Sequence, residues 1–102
     1  MIYAVATLDL EPGSREMFLS EFRKVVPLVL QEAGCIEYGP AIDAKSGIAT
    51  HHEIGSDRVM VIEKWESVET LKAHDVAPHM QAYRARVKHL IRGRELRMLT
   101  PA

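Results

Sequence analysis

The chain has 102 residues, 47% of them hydrophobic and 26% charged, with a formal net charge of −1. That length supports a modest core in a single domain spanning residues 1–102. The near-zero charge offers nucleic acid or an anionic membrane surface no electrostatic attraction, and no apolar run approaches the ~20 residues of a membrane span.

Ile2 to Asp9 alternates as a strand does, with Ile2, Ala4, Ala6 and Leu8 on one face and Tyr3, Val5, Thr7 and Asp9 on the other. Glu11-Pro12-Gly13-Ser14 is a turn ending in an N-cap residue. A helix is predicted from there to about Ala33, with Phe18, Phe22, Val25 and Val29 at helical spacing, Pro27 kinking or dividing it, and Gly34 closing it. Cys35 to Ile42 reads as a second strand with Ile36 and Tyr38 on one face. Gly39-Pro40 bends it and places it at a sheet edge. Ile48 to Ile54 reads as loop. Val59 to Trp65 is a third strand, apolar on both sides: Val59, Val61 and Trp65 on one, Met60 and Ile62 on the other. Ser67 caps a short helix, and Asp75-Val76-Ala77-Pro78 breaks it and opens another, from Pro78 to about Ile91, because proline suits a first helical turn. Gly93 ends that helix, and Arg94 to Leu99 is a last strand.

The order is βαββαβ, the α+β ferredoxin-like pattern with a four-stranded antiparallel sheet. Right-handed crossovers place both helical regions on one sheet face. The other face is then too apolar to stay wet, so a second copy is expected to cover it, sheet against sheet, in a C2 homodimer. The space between sheet and helices becomes the natural ligand site.

Three stretches carry a resemblance to a known family: Gly34-Cys35-Ile36-x-Tyr38, Glu63-Lys64-Trp65-Glu66-Ser67 and His74-x-x-x-Pro78-His79-Met80. In that order, and over nearly the whole chain, the sequence resembles the antibiotic biosynthesis monooxygenase family, in particular its small bacterial members described as quinol monooxygenases. The resemblance implies a dimeric α/β barrel of two ferredoxin-like protomers. It also implies oxidation of quinol or polycyclic aromatic substrates without metal or flavin. Other members of the family isomerise small phosphorylated sugars or degrade haem. The haem-degrading branch uses an Asn on the first strand, where this chain has Ala4-Val5-Ala6-Thr7, so haem degradation is not expected. The segment Ala44 to Asp57 is longer than in many relatives and reads as a rim or lid for the pocket.

His79 and His74 are the candidate catalytic residues, with His79 ranked first, because imidazole as a chemical group titrates near neutral pH and suits a general base on a phenol or enol. Otherwise they bond to backbone and hold the helix junction. Five positions apart, they converge only if the helix breaks between them. Trp65 either stacks on an aromatic substrate or packs in the core. Glu63, on the same strand face, either enters the cavity, where burial raises its pKa, or pairs with an arginine of the basic C-terminal third, the favoured alternative. Tyr38 either donates to a substrate oxygen or packs with its hydroxyl at the rim. His51 and His52 point to opposite faces of an extended segment, so no metal site is expected. Met17, Met60, Met80 and Met98 fit core packing or the lining of an apolar pocket. Cys35 reads as a small hydrophobe; as the only cysteine it forms no intrachain disulfide and fits a reducing compartment, the cytoplasm. MIYAVATLDL has neither the basic start nor the long apolar core of a signal peptide.

The leading expectation is a cofactor-independent monooxygenase that acts on a quinol or hydroxylated aromatic with O2. The alternatives are an isomerase of a small, phosphorylated hydroxyketone and a non-catalytic aromatic- or quinone-binding dimer.

Overall fold

A computed structural model describes residues 1–102. The strands are β1 (Ile2–Leu10), β2 (Cys35–Ala41), β3 (Arg58–Trp65) and β4 (Ile91–Leu99); the helices are α1 (Arg15–Leu30), α2 (Val68–Asp75) and α3 (Pro78–Val87). The strands form one antiparallel sheet in the order β2-β3-β1-β4, as the βαββαβ reading requires. Phe18, Phe22, Val25 and Val29 of α1 are buried, and Phe22 stacks on Tyr38 of β2 with ring centroids 5.4 Å apart. Tyr83 of α3 meets Phe22 edge-on at 5.7 Å, so one aromatic cluster joins two helices to the sheet edge.

Registers assign the faces. Ala4 lies opposite Glu63 and Met98, and Ala6 opposite Val61 and Leu96, so these six side chains share the helix-facing side. Tyr3, Val5, Met60 and Ile62 lie on the other side and are only partly covered.

Several local expectations are corrected. In β2 the pairing shifts between Cys35 and Glu37, a bulge that leaves Ile36 52% exposed while Tyr38 turns inward, so the two do not share a face. α1 runs unbroken through Pro27, which lies in its last turns, and stops at Leu30 rather than Ala33. Ser14 occupies the N-cap but donates its hydroxyl to the Glu11 carbonyl and makes no cap bond. α3 ends at Val87; a 3-10 turn over Lys88–Leu90 leads directly into β4, and Gly93 pairs inside the sheet beside an irregularity instead of ending a helix. Met17 and Met98 are 60% and 54% exposed, so neither belongs to the core.

The α2 start is reinforced as expected and by an extra partner. The Ser67 hydroxyl accepts from Thr70 N, and the Thr70 hydroxyl accepts from Ser67 N, a reciprocal cap. Gly34 lies against that cap. It has φ +81°, and a Cβ there would come within 2.4 Å of Thr70 Cγ2. Gly13 has φ +77° with nothing within 4 Å of a Cβ. Gly34→Ala therefore combines backbone strain with displacement of the cap and should cost about 2 kcal/mol or more, whereas Gly13→Ala carries the backbone term alone, about 1 kcal/mol. Urea unfolding of the two variants checks this; equal losses would remove Thr70 from the explanation.

Candidate active site

A cavity of about 970 Å³ lies between the helix-facing side of the sheet and α2 and α3. Its apolar wall includes Ala4, Ala6, Val61, Met80, Leu96 and Met98. The two alanines of β1 leave the room that larger side chains would fill. The helices do not close over β4, and Leu96 and Met98 stay 40% and 54% exposed at the cavity mouth. Glu63 enters this wall opposite Ala4, with His74 and Tyr38 beside it.

His74 is 4% exposed, near the end of α2. Its Nδ1 lies 2.9 and 3.1 Å from the two carboxylate oxygens of Glu32. An ionised carboxylate only accepts, so Nδ1 donates in this bond, and Nε2 lies on the ring edge away from Glu32. Nε2 lies 3.8 Å from Glu63 Oε1, too far for a hydrogen bond, and both residues line the cavity. The Trp65 ring packs on the imidazole at 4.7 Å, and Tyr38 meets it edge-on at 5.4 Å.

Glu63 pairs with no arginine. It accepts a 2.9 Å bond from Trp65 Nε1 and faces His74. Burial pushes its carboxyl above the ordinary range, against the opposing pull of the Trp65 bond and of His74. Trp65 is fully buried behind Glu63 and does not line the cavity; core packing and the bond to Glu63 account for it. Tyr38 lines the cavity and is 6% exposed. Burial raises its phenol, chiefly by desolvation, so it stays protonated and able to donate.

The break at Val76-Ala77-Pro78 brings both histidines to one carboxylate. His79 Nε2 lies 2.7 Å from Glu32 Oε2, on the side away from the cavity, and its side chain is 26% exposed. The structure thus sets His74 in the cavity wall and His79 behind Glu32. Glu32 itself escaped sequence reasoning. The one signal available was an acidic residue at the predicted C-terminal turn of α1, where the helix dipole disfavours it.

No group of three or more His, Cys, Asp or Glu side chains is arranged to hold a metal ion. His51 is instead bonded to Ser46 Oγ at 3.0 Å and faces Asp43 at 3.4 Å, while Asp43 accepts from the backbone of Ile54 and Gly55. Residues 44–57 form this self-tied loop and do not line the cavity wall expected of them; His52, Glu53 and Ile54 border a neighbouring groove that Arg94 shares.

The raised Glu63 pKa has a sign. A carboxyl that holds its proton more tightly when folded contributes stability below its unfolded pKa, and that contribution is lost as pH rises through the folded value. Glu63→Gln keeps an acceptor for Trp65 and cannot ionise. Its stability relative to the parent chain should therefore improve as pH is raised from below the model-compound value of 4.5 towards neutrality. Denaturant unfolding across pH 4 to 7 reads this out, and parallel stability profiles for the two proteins would contradict it.

Comparison with known proteins agrees with this architecture. Residues 1–86 match the antibiotic biosynthesis monooxygenase family. The chain is 37% identical over 103 residues to YgiN of Escherichia coli K12, described as a probable quinol monooxygenase, covering 99% of this chain and 98% of that one. Two crystal structures share the fold. One is PA3566 from Pseudomonas aeruginosa, with TM-score 0.81, 23% identity and coverage of 99% of this chain and 93% of that one. The other is a conserved protein from Methanosarcina mazei Go1, with TM-score 0.84, 18% identity and coverage of 99% and 92%. No helix of the chain is long and apolar enough to cross a membrane. With a family match over most of its length and a full-length relative, the chain belongs to the antibiotic biosynthesis monooxygenase family.

Proposed function

We propose that the protein oxidises a quinol or hydroxylated aromatic with O2, drawing the electrons from the deprotonated substrate itself, with no metal or flavin. The observation that carries this reading is His74: an imidazole in the wall of a largely apolar cavity, its Nδ1 engaged by Glu32 and its Nε2 3.8 Å from Glu63, which lines the same cavity. The quinol chemistry named for YgiN supports the same substrate class.

In this reading Nε2 of His74 takes a phenolic proton, and Glu32 and Glu63 flank the cation that forms. Tyr38 orients a substrate oxygen. Glu32 is a positioning residue, and Trp65 holds Glu63 in place. The phenolate passes one electron to O2, and the resulting radical and superoxide join to form a C–O bond at a ring carbon. The proton held by His74 returns to the peroxide, whose O–O bond then breaks. The ring C–H proton leaves with the departing hydroxide as water. One oxygen atom enters the hydroxyquinone and the other becomes water, so four electrons leave the substrate and four reduce O2. The dry wall keeps the anion and radical from competing reactions with solvent.

With a panel of reduced naphthoquinols, turnover should stop under strict anaerobiosis and recover with oxygen. Turnover that persists without oxygen would replace this reading with proton abstraction and isomerisation. His74→Ala should lower kcat/KM by roughly 10² to 10⁴. Glu32→Gln should lower it less and displace the pH profile, and His79→Ala, outside the cavity, should lower it least. A ranking with His79 first would move the base to the other side of Glu32.

The same reading includes a homodimer. Val5, Met60 and Ile62 lie on the sheet face that carries no helix, and a second copy packed on this face would remove their partly exposed apolar surface from water. Light scattering should return twice the 11.5 kDa chain mass, and Ile62→Asp should return the single mass. A monomer for the unmodified protein would remove the dimer from the reading.

A further inference from the structure

The charges around the cavity do not balance locally. Six charged side chains other than His74 line it: Glu63, Lys72, Asp75, Arg84, Lys88 and Arg94. Both carboxylates are engaged. Asp75 accepts from Arg84 Nη2 at 2.8 Å, while its carbonyl accepts from Nη1, and Glu63 accepts from Trp65 and faces His74. The side chains of Lys72, Lys88 and Arg94 line the cavity without a hydrogen bond or ion pair to another protein group. Arg94 also borders a smaller groove containing Asp9, Glu53 and Glu95, none of which comes within ion-pair distance of it.

The strand register gives these cations a place relative to the proton-transfer site. Ala4 of β1 pairs with Glu63, and Leu8 pairs with Arg94, so Glu63 and Arg94 share the helix-facing side at levels four residues apart. At about 3.3 Å per residue that is roughly 13 Å of strand. Lys88, in the turn after α3, joins Arg94 in the cavity lining. Between the two levels the sheet offers Ala6, Val61 and Leu96, an apolar floor without a polar side chain. A ligand that fills this space meets a hydroxyl-accepting edge near one level and unpaired cations near the other.

We propose that the cavity is built for a hydroxylated aromatic acid: a bi- or tricyclic ring lying on the apolar floor, its hydroxyl toward His74 and a carboxylate or sulfonate at the opposite end against Arg94 and Lys88. This rests on the reading of His74 given above and adds the charge and the length of the substrate. Arg94 supplies a planar fork that matches a carboxylate, and Lys88 a mobile point charge. A neutral quinol of the same shape fills the floor and leaves both cations without a counter-charge.

The test uses 6-hydroxy-2-naphthoate and its methyl ester, equal in ring system and differing in charge, titrated by naphthalene fluorescence into the purified protein at low ionic strength. The acid should bind at least about fivefold tighter than the ester. Added salt should compress that ratio, since the cations face open water at the cavity mouth. Arg94→Gln should bring acid and ester close to parity, chiefly by weakening the acid, Arg94→Lys should retain part of the preference, and Lys88→Gln should reduce it. His74→Ala should weaken both ligands alike. Equal or tighter binding of the ester, an acid preference untouched by Arg94→Gln, or no binding of either probe overturns the proposal. An acid preference that depends on Arg94 but is accompanied by indifference to His74→Ala would leave the anion site standing and overturn the role given to His74.

Discussion

The site depends on one carboxylate held against two imidazoles. Glu32 comes from the turn after α1, and His74 and His79 come from two helices that would be one if Pro78 were not there. On a continuous helix, residues five apart project at very different angles. The break at Val76-Ala77-Pro78 redirects the chain so that both rings reach Glu32, one from the cavity side and one from behind. Removing Glu32 would free the tautomer and the orientation of His74 together, because the same bond sets both.

The second requirement is an incomplete roof. α1 packs on β2 and α3, and α2 packs on β3, so helical cover is concentrated over one half of the sheet. Toward β4 the small side chains Ala4 and Ala6 meet Leu96 and Met98, and the space above them stays open. The same asymmetry buries Glu63 and raises its proton affinity while leaving Arg94 in contact with solvent. One cavity therefore has a buried end at Glu63 and His74 and a solvent-facing, cationic end at Arg94.

Much of the fold is legible in the residues. β1 and β3 alternate as written, the Ser67 cap starts α2, and Pro78 begins α3, because each depends on propensities and spacings within a few positions. The misreadings occur where the sheet overrules local pattern. Alternation places Ile36 on the face of Tyr38 because it carries no mark of a bulge, and Gly93 reads as a helix end because a glycine inside an edge strand looks the same in sequence. The site was half legible. His74 and Tyr38 stand in the cavity wall, yet Trp65 turned out to serve Glu63, and Glu63 took the indole and not an arginine.

The sequence by itself determined the order of strands and helices, the placing of both helical regions on one sheet face and the proline that divides the last helical region, since these follow from backbone preference, crossover handedness and the burial of apolar side chains at short range. The tertiary structure alone decided that Glu32 meets His74 and His79, 42 and 47 positions away, that Glu63 faces an imidazole, and that Arg94 lies four strand residues from it. These contacts arise from strand register and the docking of α1 against β2 and α3. Neither leaves a periodic trace in the chain, because a charged residue obeys the same local rules whether its partner is water or a buried ring.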